Sequence, residues 1–484
     1  MIRTTCLLIT TAMLSACFGS SGTNKSSTTS PAIPNYSYYF ALNAELEVYS
    51  YEHGSAEKTL VASAPTAMEF STQTDDNGVI NFGPLFMFKN GAWQFVTPKD
   101  NTVKIIAVAS NISKVCNSES VIGEEVTYLY YTTPGADAEC AQEADNLSYR
   151  IDTSMTADSS ALLLPRGLLF ADEFQNVIID DAAKGFLIKT ESDDGTLLFS
   201  NLDLTSTVTV ESNVTGYVRV SEFAAHDSII IKFNDKLYDV TLAQLESGNI
   251  GEAFHTGSSL NTYTTRNQFI FSDGNKFYKY DLAKKESVLI YESSTSAYSS
   301  DVAVGNHSLL IQLDTLTDEF VHVSIRDLDA IKVTNLTIAS ATRSSRSASI
   351  SGGFTLSTSN VDESQFAYFI SDDGIVETIN DAQWMNVTSS TLDVDGLPIL
   401  LTFGETSNTL SNWSVETKSN EWVYGVLAKE IYGMRSDVNT ASDTVLFTTL
   451  SGEADKKGLL YTFDVSKADS LTLIDQTSGF TVAF

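Results

Sequence analysis

The sequence predicts an all-β chain built from a repeated four-stranded antiparallel unit, and three observations predict it. Short runs rich in β-branched and aromatic residues fill the body and are bounded by Asp-Gly, Asn-Gly and Ser clusters. Helical periodicity of any length is nearly absent. With only 8 prolines, the turns fall to Gly, Asn and Asp, which tolerate positive φ.

The third observation is a repeat: after a tight turn a strand reads out, then ends in a short polar residue followed by an apolar one. It runs as Asp194-Gly195-Thr196-Leu197-Leu198-Phe199-Ser200-Asn201-Leu202-Asp203-Leu204, as Asn234-Asp235-Lys236-Leu237-Tyr238-Asp239-Val240-Thr241-Leu242, and as Asp273-Gly274-Asn275-Lys276-Phe277-Tyr278-Lys279-Tyr280-Asp281-Leu282. Fainter copies run from Glu319 to Leu328 and from Lys457 to Val465. From Leu204 through Leu242 and Leu282 to Leu328 the steps are 38, 40 and 46 residues, the period of a propeller blade.

Each copy fits a strand, a tight hairpin and an outer strand such as Ser287-Val288-Leu289-Ile290-Tyr291. Such a sheet has two apolar faces and cannot bury both alone, whereas radial stacking buries them between neighbours. At the level of fold the body resembles β-propeller repeat proteins, although Trp-Asp repeat signatures are missing. Dividing residues 36–484 by roughly 45 to 55 per blade, with an allowance for insertions, gives seven to nine blades, and about eight are expected. The strand-like segments 35–42 and 479–484 are expected to complete one blade from both ends. The alternative is an N-terminal β domain ending near residue 160, followed by a smaller propeller, because the repeat is clearer beyond that point.

Ahead of the body, Met1-Ile2-Arg3-Thr4-Thr5 followed by the apolar run 6–14 has the layout of an export signal, too short to span a bilayer. Leu14-Ser15-Ala16-Cys17 then resembles, residue for residue, the lipobox of bacterial lipoproteins. The resemblance implies removal of residues 1–16 as signal peptide, a diacylglycerol thioether on Cys17, and a further acyl chain, palmitate in kind, on the new amino group. In that family Asp after the Cys retains the protein at the inner membrane. Here Phe18 follows, which implies the outer membrane and leaves open whether the body faces the periplasm or the exterior. Several acyl chains make a firm anchor. Residues 17–35, nearly all Ser, Thr, Gly and Pro after the Phe, read as a flexible tether with a mean reach of roughly 25 Å.

Composition bounds the partners. The formal net charge is −32, with 61 acidic against 29 basic residues, so a nucleic acid, which binds a basic face, is not expected. Once Cys6 is cut away and Cys17 lipidated, only Cys116 and Cys140 remain, and in an oxidising compartment they are expected to form one disulfide, contributing roughly 3 to 4 kcal/mol.

No reactive constellation fixes a chemistry. His53, His226, His255, His307 and His322 are isolated, without metal-ligand spacing, and four of them adjoin turns. Neither a nucleophile elbow, a phosphate loop nor a dinucleotide fingerprint is present. The acidic turns Asp75-Asp76-Asn77-Gly78, Asp193-Asp194-Gly195, Asp372-Asp373-Gly374 and Asp393-Val394-Asp395-Gly396 could offer oxygens to calcium, but none has the EF-hand layout, and hairpin turns favour the same residues. No catalytic, metal or cofactor-binding residue is assigned. Trp93, Trp384, Trp413 and Trp422 could stack on sugars but more often pack in cores. The Arg-bearing run 341–349 reads as an interblade loop.

The function expected is that of a membrane-anchored scaffold propeller presenting its rim to an envelope protein. The alternative is a propeller that binds or degrades extracellular polysaccharide through its funnel, which needs either two carboxylates or a Tyr, His and Arg group facing that opening, and no pair stands out among the 61 acids.

Overall fold

The computed structural model describes residues 37–483 except 43–46, 53–57, 75–79, 97–103, 109–113, 135–139, 141–146, 165–172, 191–194, 295–300, 313–318, 339–345, 360–364, 380–384, 387–392, 404–408, 427–432, 439–443, 451–458 and 476–481, plus breaks of one or two residues. The signal segment, Cys17 and the tether lie outside the described residues.

The described strands form ten antiparallel sheets, each made from strands consecutive in sequence, with one exception at the termini. Blades 1 to 10 span residues 37–62, 67–108, 118–163, 173–214, 219–256, 260–292, 301–337, 346–379, 385–426 and 433–475. Blade 9 carries a fifth short strand, Asp393–Val394. Blade 1 is completed by the other end of the chain: Phe40 pairs with Ala483 and Ala41 with Val482. The all-β propeller architecture expected from the repeat is the one observed. Ten sheets exceed the seven to nine reckoned from spacing, because that count allowed for insertions whereas the blades average only roughly 45 residues each.

Stacking follows from the two-residue period of a strand. In Ser228–Phe233, the second strand of blade 5, Ile229, Ile231 and Phe233 join a core with blade 4, while Ile230 joins one with blade 6. Phe269 and Phe271 of blade 6 face blade 5, and Ile270 between them faces blade 7. Leu309 and Ile311 of blade 7 face blade 6, and Leu310 faces blade 8. Every junction from blade 2 to blade 8 carries such a core. Each fully buried Ile, Leu or Phe contributes about 1.5 to 3 kcal/mol before ordering entropy is charged against it. One of these cores, uniting Val121, Tyr130 and Leu164 with Phe186 and Ile188, runs across residue 160, where the alternative placed a domain boundary.

The repeat read from sequence is the third strand of each blade and the turn that closes it. Asp152, Asp203, Asp281, Asp327 and Asp464 stand at or just past the ends of third strands in blades 3, 4, 6, 7 and 10. Each carboxylate accepts the backbone N–H two residues on, from Ser154 at 3.0 Å, Thr205 at 2.9 Å, Ala283 at 3.1 Å, Asp329 at 2.9 Å and Ser466 at 2.9 Å. A short polar side chain thereby closes an Asx turn into the fourth strand. Blades 8 and 9 use serine instead: Ser371 Oγ accepts from Ile375 N–H at 3.1 Å and Ser414 Oγ from Thr417 N–H at 3.2 Å. In blade 5 the position is Thr241, and the chain enters the short helix α1 (Leu242–Ser247), with Gln244 Oε1 accepting from Thr241 N–H at 3.0 Å. The hairpins between second and third strands use positive φ where sequence allows it, as at Asn90-Gly91 and Asn234-Asp235.

Two local readings change or sharpen. Arg346–Ile350 is not loop but the first strand of blade 8, paired with Gly353–Ser359. Its Ser- and Arg-rich composition reads as coil, and the strand partner supplies what intrinsic propensity lacks. The bridge Cys116–Cys140 forms, with Cα atoms 5.4 Å apart.

Candidate functional sites at the inner and outer edges

Neighbouring blades approach through their first strands in blades 2 and 3, 4 and 5, 6 and 7, and 7 and 8, and contacts between other strands of neighbouring blades are fewer. The first strands therefore form the inner edge. There Glu69, in Ala67–Thr74 of blade 2, accepts a hydrogen bond from Ser118 Oγ of blade 3 at 2.9 Å. Glu119, the next residue of Ser118–Ile122, accepts from Asn176 Nδ2 of blade 4 at 3.3 Å. Farther round, Ser221 and Thr264 on the first strands of blades 5 and 6 join through their hydroxyls at 2.9 Å.

Both carboxylates are half-buried, and burial raises both. Glu69 is pushed up to about 7, chiefly by loss of solvent and further by the charge of Glu119, against the opposing Ser118 hydrogen bond. Loss of solvent likewise raises Glu119, and the Asn176 amide pulls the other way. A carboxyl poised near neutrality beside a second, differently solvated one can give or accept a proton. Among the described residues no group of three or more His, Cys, Asp or Glu side chains could hold a metal ion. Composition could not single out this pair among 61 acids; the only signal was an acid flanked by Met68 and Phe70 within a strand pattern.

The outer edge has the opposite chemistry. Leu60, Ile105, Leu162, Leu163, Leu289, Val333, Val423 and Val426 are exposed, and all lie on the fourth strands of blades 1, 2, 3, 6, 7 and 9. Ile375 immediately precedes the fourth strand of blade 8, and Tyr217, 80 % exposed, stands in the link between blades 4 and 5. Solvent-facing apolar groups thus recur where each sheet ends in a strand with one unpaired edge.

A third feature is an open recess of about 600 Å³ between blades 4 and 5, lined by Ile179, Lys184, His226, Asp227, Thr241, Leu242 and Ala243. His226 Nδ1 lies 3.2 Å from Ser228 Oγ and 3.5 Å from Asp227 Oδ1.

The remaining residues singled out by sequence are dispersed. His255 Nε2 sits 3.4 Å from Asp273 Oδ2 with its ring against Phe271, and His307 is exposed in a turn. His322, by contrast, is buried in a strand. Trp93 and Trp413 are core residues, packed on Tyr131 and Phe369 respectively, and are not presented to a ligand. Of the four acidic turns, Asp372-Asp373-Gly374 is described as a turn, with Gly374 at φ +79°. His53, Trp384 and the turn 75–78 lie outside the described residues, as do Asp193, Asp194, Asp395 and Gly396.

No family model matches the sequence, and no curated protein matches it. Solved structures similar over most of the chain include a dihydro-heme d1 dehydrogenase NirN, at 8 % identity and TM-score 0.38 over 93 % of this chain and 75 % of that one. A eukaryotic initiation factor is similar at 8 % identity and TM-score 0.46, over 92 % and 98 %. AztD from Citrobacter koseri, in its apo form, is similar at 9 % identity and TM-score 0.34, over 93 % and 98 %. At these scores the fold rests on the sheet topology above, and no function follows from the likeness.

Proposed function

We propose that this protein is a lipid-anchored envelope β-propeller that holds another envelope protein against the outer edge of its blades. The observation that carries the reading is the placement of exposed Leu, Ile and Val on fourth strands of six blades. Exposed apolar groups repeated along one kind of edge offer a partner apolar contacts there. The lipobox at Leu14-Ser15-Ala16-Cys17 supplies the anchor, and the acidic balance favours a partner with a basic rim around its apolar contacts.

The test is photo-crosslinking in cells, with a photoreactive residue placed at Leu163, Leu289 or Val426 and, as controls away from the fourth strands, at Asp227 and Asp235. The expected result is one discrete adduct from fourth-strand positions and none from the controls. Equal labelling from both sets, or none from either, contradicts the reading.

A second reading is favoured by the Glu69–Glu119 pair: recognition or cleavage of an extracellular polysaccharide at the inner edge. Glu69→Gln and Glu119→Gln then abolish glycan binding or turnover on an array of acidic and neutral polysaccharides, and crosslinking at the outer edge finds nothing.

A further inference from the structure

The junction of blades 7 and 8 holds a histidine in a setting unlike that of the other described ones. His322 lies in Glu319–Ser324, the third strand of blade 7, paired with Leu310 on one side and Thr334 on the other. It is 1 % exposed. Strand alternation turns it to the same face as Phe320, which belongs to the core shared with Phe354, Leu356, Tyr368 and Ile370 of blade 8.

Its ring meets Phe354 edge to face, with centroids 6.3 Å apart and planes at 78°. From the same blade Gly374, at φ +79°, comes so close that a Cβ there would stand 3.0 Å from Nδ1. The turn carrying Gly374 is tied back to blade 7 by Ser308 Oγ, which donates to Asp372 Oδ1 at 2.7 Å in a buried hydrogen bond. His322 Nε2 is buried with no hydrogen-bond partner. A neutral imidazole tolerates that position, whereas an imidazolium there carries a buried, unsatisfied N–H and a charge against an apolar core.

Charged groups reach the ring from two places. Asp372 and Asp373 of the blade 8 turn favour its protonation, and Lys332 on the fourth strand of blade 7 opposes it. The other strands packed against it, Ser308–Gln312 and Gly353–Ser359, carry no charged residue. Loss of solvent outweighs the two aspartates and holds the imidazole below its usual range.

We propose that His322 is an acid-sensitive latch between blades 7 and 8, which stays closed while the ring is neutral and loosens the contact with Phe354 and the Asp372–Gly374 turn when the ring takes up a proton. The direction follows from linkage. With the folded pKa below the unfolded one, the joint keeps its full stability above about 6.5, the ordinary value for an imidazole, and loses it as pH falls below that point.

Hydrogen–deuterium exchange of the intact protein at pH 7.5 and pH 5.0, corrected for intrinsic rate, tests this. The expected result is several-fold faster exchange at pH 5.0 in 308–312, 353–359 and 365–371, no comparable change in the strand 195–201, and a response confined to the wild type, with His322→Gln insensitive to pH. An equal pH response in His322→Gln, or no local response in the wild type, overturns the proposal. Should the variant not fold, the rate of C2 proton exchange of His322 in the wild type reports its pKa directly. A value below the imidazole norm supports the latch, and one at or above it refutes it.

Discussion

The inner edge of blades 2 to 4 and the junction of blades 7 and 8 place ionisable groups between sheets in opposite ways. At the first, Glu69 and Glu119 each receive a hydrogen bond across a junction and stay half in contact with solvent. At the second, His322 is enclosed with Nε2 unpaired. Both environments penalise the charged form, but the charged form of a carboxyl lies at high pH and that of an imidazole at low pH. The two regions should therefore weaken in opposite directions of pH, so one protein carries a base-sensitive and an acid-sensitive junction.

The largest change expected is from Phe354→Ala. It deletes a fully buried ring from the core of blades 7 and 8 and should cost about 3 to 5 kcal/mol in urea unfolding. It should also blunt the acid response by admitting water to His322, which would sharpen the comparison; an unchanged midpoint would break it.

Replacing Cys116 and Cys140 by serine removes a bridge across 24 residues of sequence and should cost about 3 to 4 kcal/mol. Limited proteolysis should then cut first between residues 116 and 146.

Glu69→Gln tests the other region. Its folded pKa of about 7 exceeds the ordinary glutamate value of 4.5, so the protonated group favours folding fully below about 4.5, and that advantage disappears as pH rises through 7. The glutamine variant should match the wild type near pH 4 and be more stable at pH 8, on the order of 1 kcal/mol after screening of a half-exposed group. Thermal melts across that range would show a flattened profile.

A smaller loss, about 0.5 to 1.5 kcal/mol, is expected from Asp281→Ala, which removes the acceptor for Ala283 N–H at 3.1 Å and Lys284 N–H at 3.0 Å. That carboxyl is held below its usual range first by the Lys284 backbone hydrogen bond. Its contribution is thus present at neutral pH and lost as pH falls below about 4, well below the window of the histidine junction.

Architecture was legible in the sequence because its cause is local and periodic. The third strand and its Asp-closed turn recur as one continuous segment, so Asp203, Asp281 and Asp327 mark the blades before any contact is known. The disulfide was legible because only two cysteines remained to pair. The first strand of blade 8 was not, since Arg346–Ile350 acquires its conformation from Gly353–Ser359. The functional candidates were hidden for a related reason. Glu69, Ser118, Glu119 and Asn176 span more than 100 residues of sequence and meet only because first strands of successive blades converge. His322 read as one more isolated histidine in a strand; what distinguishes it is the approach of Gly374, 52 residues later.

The outer edge as docking surface is tested most directly by recovery of the protein from detergent extracts after mild in-cell crosslinking, comparing the wild type with a variant carrying Leu60, Leu163, Leu289 and Val426 all changed to Thr. Exposed positions change stability by no more than about 0.5 kcal/mol each, so both proteins should fold. The account predicts that a single envelope protein accompanies the wild type near one-to-one and is lost from the variant. Recovery of the same protein with both, or of the wild type alone with no companion, would contradict it.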